Sequence, residues 1–187
     1  MFCLRVSLCR IYMGAGLFFA SLAGCLAEQA PAIHYAPTEN LERIDVALID
    51  QAHNRIDFAA YVLTDWPVME ALARAADRGV RVRIYMDSGR LGERNPTPPF
   101  VDLVADPGVE IRFKRPGAPL MHLKSYQVDG RLVRTGAANF SASGLKRQDN
   151  DLIIIESPAA AAAFARHFEA IFAQSDSLPP ERGQRGR

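Results

Sequence analysis

No cysteine occurs beyond residue 25 in this 187-residue chain; Cys3, Cys9 and Cys25 are the only three. That distribution leaves the rest of the chain without an internal disulfide, a thiol nucleophile or a cysteine metal ligand. Tryptophan occurs once and histidine four times, so a histidine-rich metal centre is excluded. No P-loop or dinucleotide fingerprint is present, since Gly14-Ala15-Gly16 falls in the N-terminal apolar stretch. Ser141 and Ser143 lack a G-x-S-x-G frame, which speaks against a serine hydrolase. Net charge is close to absent as well, at +1. With 49% hydrophobic and 23% charged residues, the composition is that of one globular domain with a substantial core.

The one long apolar run, Ile11 to Ala23, follows Arg5 and Arg10 and ends in Leu22-Ala23-Gly24-Cys25. A basic start, a short apolar stretch and a small-residue exit describe a secretory signal peptide over 1–24. The Leu-Ala-Gly-Cys ending resembles a bacterial lipobox, which would make Cys25 a lipidation site. The expectation is an exported protein: periplasmic, held at a membrane as a lipoprotein, or secreted. Residues 25–32 read as a tether.

The near-neutral total hides segregation. Residues 28–77 carry nine acids and three bases, whereas residues 78–147 carry thirteen bases and six acids. An anionic partner near the second stretch is therefore expected.

Between 33 and 175 the pattern alternates strands and helices. A strand at Ile33–Ala36 precedes an amphipathic helix carrying Leu41, Ile44, Ala47, Leu48 and Ala52, with Thr38 and Asn40 as candidate caps. Residues 55–63 read as a buried strand, and Pro67 to about Arg78 as a helix stopped by Gly79. Residues 80–87 (VRVRIYMD) alternate apolar and basic, predicting a strand with one inward face. A Gly/Pro/Arg loop spans 88–99, followed by a helix at 100–105 and a strand at 109–114. Asp129-Gly130 predicts a hairpin between the strand of MHLKSYQVDG (121–130) and a strand at 131–135. Residues 136–144 read as a loop, 151–156 as a strand, Pro158 to about Ser175 as a helix, and 176–187 as a disordered tail. The fold class is α/β, an α/β sandwich with a mixed β-sheet flanked by helices.

Chemistry concentrates in MHLKSYQVDG. Alternation along a strand puts His122 and Lys124 on one face and Asp129 on the other. The next strand ends in Gly136-Ala137-Ala138-Asn139, a tight loop able to bring a side-chain amide to the same place. This set matches a phosphodiester: lysine gives a point charge, asparagine gives N–H donors, and histidine can attack phosphorus or shuttle a proton. His34, His53 and His167 lack such neighbours in the sequence and read as ordinary histidines.

The spacing His-x-Lys-x4-Asp, six residues, then Gly-x-x-Asn resembles the signature of the phospholipase D superfamily. Within that superfamily it is most similar to the short bacterial endonucleases that carry a single copy of the motif. The resemblance runs from about Ile33 to Phe172. It implies that His122 is the nucleophile forming a phosphohistidine, or the general acid contributed by a partner chain. It implies that Lys124 and Asn139 bind the non-bridging oxygens, with Asp129 in support. Asn150 and Asp151 compete for a downstream supporting position. The resemblance also implies a homodimer with the active site across the two-fold, and no cofactor or metal. One departure is plain: the family's Gly-Ser-x-Asn has Ala137 in place of serine.

Three functions follow from this reading. The first is a metal-independent phosphodiesterase cutting DNA or RNA without sequence preference. The second applies the same chemistry to phospholipid head groups. The third is a phosphate or nucleic-acid binding module with weakened turnover, which Ala137 would permit.

Overall fold

The computed structural model describes residues 30–89 and 98–177. The expected signal peptide, Cys25, most of the tether, the greater part of the 88–99 loop and the tail beyond 177 lie outside the described residues. In chain order the elements are β1 (Ala32–Ala36), α1 (Leu41–Asp50), β2 (Arg55–Ala60), α2 (Trp66–Asp77), β3 (Arg81–Met86), α3 (Pro98–Ala105) and β4 (Val109–Phe113). They continue with β5 (Lys124–Val128), β6 (Leu132–Thr135), α4 (Ala142–Lys146), β7 (Asn150–Ile155), α5 (Pro158–Ala173) and β8 (Asp176–Ser177).

Local chemistry starts each longer helix. The Asn40 side chain accepts the Arg43 N–H at 3.2 Å ahead of α1. Asp65 does the same for Val68 ahead of α2, and Ser157 for Ala160 ahead of α5, both at 3.3 Å. Each cap satisfies an N–H that the helix leaves open, and α2 and α5 add a proline in the first turn.

The strands form one eight-stranded sheet in the order β1-β7-β6-β5-β2-β3-β4-β8. β2, β3 and β4 are parallel, and every other pairing is antiparallel. The sheet is therefore mixed, as the hairpin requires. On one face α1 to α4 bury Leu41, Ile49, Leu72, Leu103 and Leu145 against Ile56, Phe58, Ile84 and Tyr126. On the other, α5 lays Phe168 and Phe172 over Ala59 and Tyr85.

That second covering layer changes the meaning of the alternation in β3. Arg83 is only 7% exposed. It donates to the fully buried Asp57 at 2.9 Å and to Glu169 of α5 at 2.8 Å, with its guanidinium carbon 5.1 and 5.0 Å from the Phe168 and Phe172 ring centres. Asp57 also accepts from Gln127 at 2.9 Å. A period of two marks which residues share a face; it does not say that the polar face is in water.

Three further boundaries differ from expectation. β5 begins at Lys124, so His122 stands just ahead of the strand. The stretch expected to be a loop, 136–144, holds the start of α4, capped by Ser141, whose side chain accepts the Gly144 N–H at 3.1 Å. Asp176 and Ser177, expected in the tail, pair with Phe113 and Arg112 as β8.

Candidate active site

The antiparallel β2–β5 register sets Ala60 opposite Lys124, so the C-terminal end of β2 and the N-terminal end of β5 lie side by side in the middle of the sheet. β3 ends beside them, with Met86 opposite Ala60. Just beyond β3, Asp87 accepts the Met121 N–H at 2.8 Å with one oxygen and the Gly89 N–H at 2.8 Å with the other. This clamps the chain immediately before His122 and leaves the imidazole exposed.

Lys124 is 6% exposed. Its ammonium lies 3.2 Å from His122 Nε2 and 3.3 Å from Nδ1 and donates to the His122 carbonyl at 3.0 Å. Near-equal distances to both ring nitrogens commit neither of them to the ammonium alone. Burial pushes the Lys124 ammonium down from its ordinary value. A buried cation beside an exposed imidazole is a natural seat for an oxyanion.

Asn139 approaches from the β6–α4 connection, and glycine makes that path feasible. Gly136 has φ 139°, and a Cβ there would stand 2.5 Å from the Asp151 carbonyl oxygen. Any side chain would force β6 and β7 apart. Gly144 plays a second such part that the sequence reading did not single out. A Cβ on it would fall 2.6 Å from the Asn139 carbonyl oxygen, so glycine lets α4 press against the backbone of Asn139. The Asn139 Oδ1 is buried without a hydrogen-bond partner among the described residues.

The supporting residues separate. Asp129 sits at the far end of β5 from His122, in a turn with φ 55°. Its carboxylate accepts the N–H groups of His53, Asn54 and Arg55 at 2.9, 2.8 and 2.8 Å. Burial pushes this carboxyl up, but the three backbone donors outweigh it and hold the group below its ordinary value. It pins the β5–β6 hairpin to the α1–β2 connection. Asp151 accepts the Ala137 N–H at 2.6 Å and so braces the loop that carries Asn139. The Asn150 amide donates to the Gly144 carbonyl at 2.9 Å and to Gln148 at 3.2 Å, fastening α4.

Beneath the site lies a group that sequence pattern did not reveal. Arg134 and Asp45 are both fully buried and joined by two bonds of 2.8 Å. The Tyr126 hydroxyl donates to the same carboxylate at 2.8 Å. Arg134 also donates to the Lys124 carbonyl at 2.9 Å and packs 4.5 Å from the Phe140 ring centre. One guanidinium thus touches the strand bearing Lys124 and the residue after Asn139. Two charged residues 89 places apart in sequence give no periodic signal of such a pairing. Among the described residues no group of three or more His, Cys, Asp or Glu is gathered that could hold a metal ion.

The mixed sheet order and the helical layers on its two faces define a phospholipase D-like α/β fold. The model of the family described as cardiolipin synthase, PLD-like domain, matches residues 46–172, and the chain belongs to that family. It is 32% identical over 123 residues to a phospholipase D of Rickettsia felis, a match covering 65% of this chain and 59% of that protein. The chain thus spans about three fifths of that relative's length. Among solved structures it is similar to Nuc of Salmonella typhimurium, a phospholipase D family member. The TM-score there is 0.71 at 25% identity, over 81% of this chain and 99% of that one. NucT of Helicobacter pylori gives a TM-score of 0.72 at 17% identity, over 80% and 99%, a likeness of fold alone.

Proposed function

We propose that this protein hydrolyses phosphodiesters through a phosphohistidine on His122, at a site completed by a second copy of the chain. The observation that carries this reading is the seat of the buried Lys124 ammonium against the exposed imidazole of His122, 3.2 and 3.3 Å from its two ring nitrogens. A ring nitrogen attacks phosphorus while Lys124 and the Asn139 amide hold the non-bridging oxygens. The phosphorus–oxygen bond to the leaving group breaks, and the leaving oxygen takes a proton from the imidazolium of the second copy's histidine. That histidine, now neutral, removes a proton from water. The resulting hydroxide displaces His122 from phosphorus and releases the phosphomonoester. Two in-line displacements need a nucleophile and an acid on opposite sides of phosphorus. One His-x-Lys set supplies one side, which is why the reading includes a homodimer. Acting outside the cytoplasm, with a lipid on Cys25, remains part of the proposal as the N-terminal sequence suggests it.

For substrate we favour nucleic acid cut without sequence preference. The support is the resemblance of the single His-x-Lys motif to that of short bacterial endonucleases, together with the likeness to Nuc over nearly its whole length. Phospholipid is the second reading. Leu120, 60% exposed and two residues before His122, favours it, together with Trp66, 47% exposed at the start of α2. The name of the Rickettsia relative points the same way.

Plasmid DNA and phosphatidylcholine vesicles, each with excess EDTA, test both. Nicking that survives chelation and disappears in His122→Ala, a loss of at least about 10³-fold, is expected. Choline release without nicking moves the substrate to phospholipid. Phosphate-dependent binding with neither activity leaves only a binding module and overturns the catalytic reading.

A further inference from the structure

Tyr61 follows β2 directly and donates its backbone N–H to the Leu123 carbonyl at 2.8 Å. That bond extends the β2–β5 ladder one step and fixes the Tyr61 side chain beside His122. The two rings have centroids 4.6 Å apart and planes inclined by 57°. The Lys124 ammonium lies 5.2 Å from the same Tyr61 ring centre. One aromatic ring therefore meets both the imidazole and the cation of the phosphate seat.

We propose that Tyr61 is a positioning residue that orients the His122 imidazole and stabilises its protonated form. The inference rests on the phosphohistidine reading and deepens it. In that chemistry one histidine attacks as a neutral ring and the other protonates the leaving oxygen as a charged ring, and His122 fills the second part in whichever copy supplies the acid. Lys124, from β5, lies within 3.3 Å of both ring nitrogens and opposes the second state. Asp87, beyond β3, faces the preceding residue through the Met121 N–H and spends both oxygens on backbone donors. Tyr61, from the end of β2, presents a polarisable ring with a negative face and a positive edge. Such a ring attracts a cation within about 6 Å of its centre. It draws Lys124 toward itself and offsets the repulsion that a protonated His122 would meet. A ring at 4.6 Å also restricts imidazole rotation, so the attacking nitrogen keeps its line to phosphorus.

Nuclear magnetic resonance titration of the full chain reads this directly. The His122 ring signal is assigned by its loss in His122→Ala. Tyr61→Leu is expected to lower the His122 protonation constant about 3-fold, a fall of about 0.5 in the midpoint. Tyr61→Phe, which keeps the ring, should leave it in place. Tyr61→Met, an unbranched replacement, provides the same reading if the leucine variant does not fold. Turnover supplies the second readout. Removing the ring should lower kcat more for an alkyl leaving group than for p-nitrophenolate, which departs without a proton, and should leave KM nearly unchanged. A merely structural tyrosine would move neither the midpoint nor that ratio. An unshifted midpoint in both Tyr61→Leu and Tyr61→Met overturns the proposal. A shifted midpoint in a protein that hydrolyses no diester keeps Tyr61 as the partner of His122 and removes the phosphodiesterase reading instead.

Discussion

At the scale of single residues, the site is a contrast between one buried charge and one exposed ring. Lys124 is held down the slope of its titration by burial, so its charge is lost at a lower pH than that of a free lysine. Turnover should therefore decline on the alkaline side before an ordinary ammonium would titrate, if Lys124 must be charged to hold the phosphate. Ala137 is the residue where the loop departs from the superfamily pattern. Its N–H is already engaged by Asp151, which leaves the missing hydroxyl as the difference. Ala137→Ser is expected to raise kcat/KM on a diester by about 2- to 10-fold, the equivalent of one added hydrogen bond. Steady-state kinetics on the two proteins side by side decide it, and an unchanged or lower value would show that the hydroxyl has no partner here. The spacing of His122, Lys124 and Asn139 was legible because glycine and alternation leave marks in sequence. Tyr61 was not, because it reaches the imidazole from another strand and carries no spacing of its own.

At the scale of elements, the site depends on how α1, α2 and α4 converge behind it. Thr64 and Asp65 both donate their N–H groups to the Phe140 carbonyl, at 2.8 and 3.0 Å, so the start of α2 holds the residue after Asn139. Lys146 of α4 pairs with Glu42 of α1. Asp65 is 1% exposed, and its Oδ2 has no partner among the described residues. Burial first, and then the Glu42 carboxylate, push Asp65 from 3.8 up to about 6. The folded protein therefore binds a proton that the unfolded chain has released, and stability from this group falls as pH rises through that window. Asp65→Asn keeps the helix cap and removes the ionisation. Urea titrations between about pH 4 and 7 should show the variant gaining on the parent as pH rises, by on the order of 2 kcal/mol at the upper end. A constant difference across that range would mean that Asp65 ionises without penalty. The elements themselves were largely readable from apolar period and caps, with Asn40, Pro67 and Pro158 at the right places. What escaped was tertiary. Arg83 and Arg134 look like solvent-facing cations in a strand, and only the helices packed on both faces, with Asp57 and Asp45 waiting there, make them interior residues.

At the scale of the whole molecule, charge and symmetry decide what the site can meet. The basic excess of residues 78–147 is partly consumed within the fold. Arg78, Arg83, Arg112, Arg131, Arg134 and Lys146 each pair with a carboxylate. Any grip on a polyanion thus comes from fewer cations than the sequence count suggests, and its salt dependence should be correspondingly shallow. On the proposed reaction the catalytic set would likewise be incomplete on one chain, since that reaction needs two histidines about one phosphorus. A site shared across a two-fold gives each copy's histidine both parts in turn. Mixing equal amounts of the parent and His122→Ala, after dissociation and reassembly, separates the alternatives. Self-sufficient chains would keep about half of the parent activity per chain. Pairs that need both histidines would keep about a quarter, because only parent–parent dimers work among the three species that random pairing yields. The quarter is the expected outcome. Half the activity, or a monomeric protein that remains fully active in a sedimentation experiment, would return the whole reaction to a single chain and require a general acid other than a second His122.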